Sequence, residues 1–194
     1  MRIIGLAGSL RAASTNRALL RAAAAMLPEG VTLEVAEIGD LPLMNEDLEK
    51  PAWPEPVQRL RRHLWTADAL LIACPEYNAG IPAPLKNAID WASRAEGLGG
   101  VTAPPGEARK TPLAELPAGI IGTSPGMLGT ARAQQHLRMS LQSIGTRVMP
   151  GPEAFVGSAR GKFDAAGNLT DEPSRAAVAR VVTGLVAWAQ RVKD

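Results

Sequence analysis

The chain has 194 residues, 46% of them hydrophobic, which is enough for the core of one domain and argues against disorder. The net charge is only +2 and no basic run occurs, so neither a nucleic-acid surface nor an acidic electron-shuttle surface is indicated. A lone cysteine excludes an intramolecular disulfide, and no apolar run approaches the ~20 residues of a membrane span; without a signal-peptide pattern, a cytoplasmic protein is expected.

The first strand is read over Ile3 to Ala7, apolar throughout. It runs into Gly8-Ser9-Leu10-Arg11-Ala12-Ala13-Ser14-Thr15-Asn16-Arg17, and a helix follows with Leu19, Ala23 and Met26 on one face. Hydroxyls at a helix start cap its free N–H groups. The same N–H groups, at the positive end of the helix dipole, bind phosphate. Ser9, Ser14, Thr15 and Asn16 add neutral donors, and Arg11 and Arg17 add charge. A P-loop is absent, and Gly5 and Gly8 lack the third glycine of a dinucleotide fingerprint, so a single terminal phosphate suits this loop. An ordinary capped strand-to-helix loop would use the same residues.

Val31 to Val35 alternates and reads as an edge strand. Val57, Leu60 and Leu64 mark a helix, with Arg61, Arg62 and His63 read as its solvated face. Ala69 to Cys74 is a buried strand, and Cys74 reads as a small hydrophobe with no base beside it. Neither His63 nor His136 belongs to a cluster at metal-ligand spacing, so no metal is expected. Next comes the turn Pro75-Glu76-Tyr77-Asn78-Ala79-Gly80. Ligands of open α/β sheets sit beyond the carboxyl ends of the strands. Tyr77 offers a ring for stacking there, and successive backbone N–H groups can meet ring nitrogens and carbonyls, as a flavin requires. The following helix carries Leu85, Ala88, Ile89 and Ala92, with Pro82 and Pro84 tolerated in its first turn.

Residues 95–115 are rich in glycine and proline, and a mobile segment at the rim of the site or at a subunit interface, or else a disordered stretch, is expected. Ala118 to Gly122 is a third buried strand, followed by Thr123-Ser124-Pro125-Gly126. Ala133, Leu137, Leu141 and Ile144 mark a helix; Thr146 to Met149 reads as a fifth strand ending at Pro150. The last helix carries Val178, Val181, Val182, Leu185, Trp188, Ala189 and Val192. Strands alternating with helices give an α/β fold, a doubly wound five-stranded parallel sheet of order 2-1-3-4-5 with helices on both faces, spanning residues 1–194 as one domain. Trp53, Trp65, Trp91 and Trp188 read as core or interface anchors.

Gly8-Ser9-Leu10-Arg11 with Ser14, Asn16 and Arg17, together with Pro75-Glu76-Tyr77-Asn78, Gly80, Pro82 and Leu85-Lys86-Asn87-Ala88-Ile89-Asp90-Trp91, resemble the NADPH-dependent FMN reductase family. The segment from Thr123 to Gln134 agrees, as do Met149 to Glu153 and Asp164 to Gly167. The resemblance implies a flavodoxin-like fold and bound FMN. The phosphate would rest on Ser9, Arg11, Ser14, Thr15, Asn16 and Arg17, and the ring on Pro75, Glu76, Tyr77 and Asn78. Ser124 and Gly126 would approach the ribityl chain and pyrimidine edge. The implied activity passes a hydride from NADPH or NADH through FMN to free flavin, a quinone, an azo compound or a chromate-like oxyanion. No catalytic side-chain acid or base is required, because the cofactor carries the chemistry. The alternative is a flavodoxin-like electron carrier that does not oxidise nicotinamide itself. A homodimer or homotetramer is implied, with Arg132 and Glu153 placed to pair across subunits. Replacing Ser14 or Asn16 by Ala is expected to weaken FMN binding and leave the fold intact. Ala79 departs from relatives that carry a larger residue there.

Overall fold

The computed structural model describes residues 1–95 and 103–192. The strands are β1 (Arg2–Ala7), β2 (Thr32–Ala36), β3 (Ala69–Ala73), β4 (Pro117–Thr123), β5 (Arg147–Val148) and β6 (Ala154–Val156). The α-helices are α1 (Thr15–Ala24), α2 (Glu55–Trp65), α3 (Ala83–Ala92), α4 (Ala131–Ser143) and α5 (Glu172–Arg191). All strand pairs are parallel, in the order β2-β1-β3-β4-β5, with β6 also on β4. β3 and β4 are buried along their whole length, whereas β2 alternates at the edge. Successive side chains of a strand face opposite sides of the sheet. Thus Leu70 and Ile72 pack with Leu60, Leu85 and Leu137, while Leu71 packs with Leu19, Leu20, Val181 and Leu185. No helix among the described residues is long and apolar enough to cross a membrane.

The order matches the expectation; the strand count does not. The fifth position is filled by two short strands. β5 pairs Pro117 and Ala118 of β4, and β6 pairs Ile121 to Thr123. Pro150 and Pro152, lying between them, carry no N–H for a continuous ladder. Among the described residues the sheet therefore contains six strands rather than five.

Arg61 also departs from the sequence reading. It is not solvated but fully buried, at 0% exposure. Its Nη1 donates to the carbonyls of Trp91 (3.2 Å), Ala92 (3.0 Å) and Arg94 (2.9 Å), and its guanidinium lies 4.5 Å from the Trp53 ring centroid. A cation here satisfies the free carbonyls at the end of α3 and complements the helix dipole. Two residues of the Leu85–Trp91 motif brace the other side of α3. Asn87 accepts from Met44 N–H (2.7 Å) and donates to the Pro42 carbonyl (2.9 Å), which also receives the Trp91 indole N–H (2.8 Å). Trp53 and Trp91 are core anchors, in tilted contact at 5.9 Å.

Of the Gly/Pro-rich stretch, residues 96–102 lie outside the described residues. The part that follows does not border the flavin turn. Arg109 donates to the Trp65 carbonyl (2.9 Å), and Leu113 is buried under the sheet; Trp65 and Leu116 lead into the amino ends of β3 and β4. This places residues 107–116 at the end of the sheet opposite the motif turns, which corrects the expected rim position for that portion.

Candidate functional site

Three loops meet at the carboxyl ends of β1, β3 and β4. They enclose a cavity of about 350 Å³, to which Ser9, Arg11, Ser14, Thr15, Asn16, Pro75, Glu76, Tyr77 and Ser124 all contribute. An adjoining cavity of about 520 Å³ shares Ser9, Arg11 and Tyr77 and adds Asn78, Leu10 and Ile81. The β1 and β3 turns pack closely. A Cβ on Gly8 would stand 2.7 Å from Pro75 Cδ, so only glycine fits there without a shift.

In the first loop, Ser14 Oγ accepts from the N–H groups of Asn16 (3.2 Å) and Arg17 (3.4 Å), capping α1. Arg17 turns away; its guanidinium pairs with Glu37 at 2.5 Å and does not line the cavity. Asn16 serves the fold as well as the site. Its amide Nδ2 donates to the Thr123 carbonyl (2.9 Å), and its Oδ1 accepts from the Thr123 N–H (3.0 Å). One side chain thus clamps the start of α1 to the end of β4. This revises the expectation of an intact fold in Asn16→Ala. Two buried backbone groups would be stranded, each costing about 1–3 kcal/mol. Urea unfolding of Asn16→Ala should show that loss; stability within 0.5 kcal/mol of wild type, a margin typical of inert surface changes, would contradict the clamp.

The second turn closes tightly on itself. Gly80 N–H donates to the Tyr77 carbonyl (2.9 Å), and Tyr77 N–H donates to the Gly80 carbonyl (3.3 Å). Asn78 (φ 51°) and Ala79 (φ 62°) both occupy the left-handed region, as a two-residue turn of this type requires. Asn tolerates that conformation; Ala carries strain of order 1 kcal/mol. The Tyr77 side chain is 58% exposed, leaving an aromatic face open beside both cavities.

The Glu76 carboxylate points to α4. It accepts from the N–H groups of Arg132 (3.1 Å) and Ala133 (3.2 Å), from Arg132 Nε (2.8 Å) and from Arg132 Nη2. Arg132 therefore has a partner within its own chain. So does Glu153, which pairs with Arg138 at 3.0 Å. The two charges named for a pairing across subunits thus each have a partner within the single chain. Burial pushes the Glu76 carboxyl up, but the Arg132 side chain, the helix N–H groups and the nearby positive charge together hold it below the usual range. A carboxyl lowered in the folded state adds stability above its unfolded value and loses it as pH falls through the folded one. Glu76→Gln should therefore flatten the acid limb of the stability–pH profile below about pH 4.3, the ordinary glutamate value. An unchanged acid limb would show that the contact carries no linkage.

The third turn is tied to the strand beside it. Ser124 N–H donates to the Val156 carbonyl (3.1 Å), Ser158 N–H to Gly126 (2.9 Å), and Ala159 N–H to Ser124 (3.1 Å). Ser124 lines the cavity; Gly126 lies in the turn but not on the cavity wall. Thr123, Pro125, Ala159 and Arg160 line it too, beyond the residues expected from sequence. Pro125 and Thr123 sat within the matched segment. For Arg160, 37 residues past Thr123 in the chain, no local signal existed. Cys74, directly before the ring turn, is buried, and its thiol is pushed up to about 12, chiefly by burial and secondarily by Glu76.

Residues 1–161 match the family model described as NADPH-dependent FMN reductase. The chain belongs to that family. It is 40% identical to an NAD(P)H-dependent FMN reductase of Pseudomonas aeruginosa, over 100% of this chain and 97% of the relative. It is 38% identical to an NADPH:quinone oxidoreductase of Arabidopsis thaliana, over 100% of this chain and 94% of the relative. Among solved structures it resembles FerB, a flavoenzyme NAD(P)H:(acceptor) oxidoreductase from Paracoccus denitrificans, with a TM-score of 0.84 and 35% identity, covering 98% of this chain and 97% of that one.

The cavity of this FMN reductase family member fits the cofactor on its own chemistry. Hydroxyls of Ser14 and Thr15 stand at the N-terminus of α1, where a phosphate is stabilised by dipole and donors together, and Ser9 lines the same cavity. Thr123 lines the same cavity with a buried Oγ1 that has no partner among the described residues, a polar group a bound nucleotide could satisfy.

Proposed function

We propose that the cavity at the ends of β1, β3 and β4 holds FMN and that the chain works as an FMN-dependent NAD(P)H oxidoreductase whose acceptors are small molecules of the quinone or flavin class. The observation that carries this reading is the meeting of the Ser9–Asn16 loop with the Tyr77 turn in one cavity. Ser9, Arg11, Ser14 and Thr15 would bind the phosphate, with Asn16 positioning the loop through Thr123. Pro75, Tyr77 and Asn78 would bound the ring, and Ser124 would approach its polar edge. Bound FMN supplies hydride acceptance from a reduced nicotinamide and delivery to the acceptor. The protein orients both partners against the open Tyr77 face and leaves one side accessible. Azo compounds and chromate-like oxyanions remain within the proposed acceptor range.

The proposed setting is the cytoplasm, and the proposed assembly is a homodimer or homotetramer. Met127 (89% exposed) and Leu128 (54% exposed), next to the third turn, support a contact between copies there. The deciding experiment mixes FMN-saturated protein rapidly with NADPH and with NADH, then adds a panel of benzoquinone, free FMN, an azo dye and chromate. Flavin bleaching by nicotinamide followed by reoxidation supports the reading. Bound FMN that neither nicotinamide reduces would instead favour the electron-carrier alternative.

A further inference from the structure

The charges around the cavity are unevenly committed. Most arginines of the chain hold an acidic partner, among them Arg2, Arg17, Arg59, Arg94, Arg132, Arg138 and Arg147. Two arginines line the cavity, Arg11 and Arg160. Both are exposed, and neither guanidinium hydrogen-bonds or ion-pairs with any described residue. Among the described residues no lysine lines the cavity, and of the acidic residues only Glu76 does, its charge already matched by Arg132. The cavity is thus equipped for an anion with two uncommitted cations. Sequence proximity suggests Arg11 and Arg17 for that role, but Glu37 takes Arg17.

Arg160 is not carried on a loose loop. The preceding residues, Ser158 and Ala159, donate to the carbonyls of Gly126 and Ser124. Gly157 packs so closely on the third turn that a Cβ there would lie 2.1 Å from the Met127 carbonyl oxygen. On its other side, Lys162 N–H donates to the Ala159 carbonyl (3.2 Å), closing a turn around Arg160. The chain then runs on to the first loop: Phe163 to Gly167 share a separate small cavity with Ala12, Ala13, Ser14 and Thr15, and Arg21 donates to the Gly167 carbonyl (3.3 Å). Arg160 therefore stands on a path leading from the Ser124 turn to the capped start of α1. Asn16, bonded to Thr123, ties these same two places together from beneath.

We infer that Arg160 binds the phosphate of the cofactor, supplying with Arg11 the positive charge that the hydroxyl-rich loop lacks. A guanidinium presents planar donors matched to phosphate oxygens, and hydrogen bonds between charged groups are the stronger kind. This rests on the FMN reading above, and it adds a residue that follows β6 to the phosphate site. Selectivity follows from it. Arg160 discriminates FMN from riboflavin, which has the same ring and no phosphate.

The test uses apoprotein titrated with FMN and with riboflavin, followed by quenching of flavin fluorescence, for wild type, Arg160→Met and Arg160→Lys. Arg160→Met is expected to weaken FMN binding about tenfold or more, in line with the loss of one hydrogen bond to a charged group. Riboflavin affinity should stay within twofold of wild type. Arg160→Lys should recover part of the FMN loss, and raised salt should weaken wild-type FMN binding more steeply than that of Arg160→Met. A merely structural arginine would move both ligands together. Equal losses for FMN and riboflavin, or no loss for either, would overturn the assignment while wild-type FMN binding leaves the cofactor reading standing. Wild-type apoprotein that binds neither flavin would overturn both. A rise in KM for NADPH but not NADH, with FMN affinity unchanged, would reassign Arg160 to the nicotinamide nucleotide and equally reject the inference.

Discussion

Arg61→Ala should destabilise the protein by about 3–5 kcal/mol, the range for stranding buried polar partners while emptying a large core site. Three carbonyls at the end of α3 would lose their donor, and Trp53 would lose the cation stacked on it. For a chain of this size the midpoint of thermal unfolding should fall by roughly 10 °C. Arg61→Lys should be an incomplete substitute, since one ammonium cannot reproduce a planar fork under a ring. Calorimetry and urea unfolding of both variants measure this. A loss below about 1 kcal/mol, inside the range of ordinary single substitutions, would mean that water replaces the guanidinium and that α3 is held from its Asn87 and Trp91 side alone.

The second large effect is kinetic. Tyr77→Ala and Asn78→Ala should each slow NADPH-dependent flavin reduction by up to ~10²-fold, because hydride transfer demands close and aligned atoms. FMN affinity should fall less than tenfold in either, since Ser9, Arg11, Ser14 and Thr15 lie on a different loop. Asn78→Ala removes the residue best suited to φ 51° and places two alanines in the left-handed turn. Tyr77→Ala removes the exposed ring and leaves the turn's backbone bonds in place. Stopped-flow reduction of FMN-saturated variants separates the two contributions. Wild-type rates in both would place the approach of the nicotinamide elsewhere.

The sheet order was legible because β1, β3 and β4 are continuous apolar runs, which only strands covered on both faces can afford. The motif turns then fell where such sheets bind ligands. Other features turned on distant partners. Arg61 sits on the same helical stripe as Val57, Leu60 and Leu64, but its charge reads as part of the solvated face. Only the carbonyls of Trp91, Ala92 and Arg94, some thirty residues onward, resolve the conflict. Arg17 looked like part of the phosphate loop until Glu37 was seen beside it. β6, three residues long after a Pro-Gly-Pro break, is too short for any periodicity to reveal. The family motif mixes two kinds of residue. Tyr77 borders the cavity, whereas Asn87 and Trp91 hold α3 against the 42–44 segment.

Cys74 gives the molecule a built-in reporter. It is the only thiol in the chain, sits at the end of the central strand, and is held protonated by its surroundings. Thiolates, not thiols, react with alkylating and disulfide reagents. Native protein should therefore resist such reagents, and the slow labelling that does occur should count openings that reach the middle of the sheet. Each variant above can then be ranked under native conditions, without denaturant, by how often its interior becomes reachable.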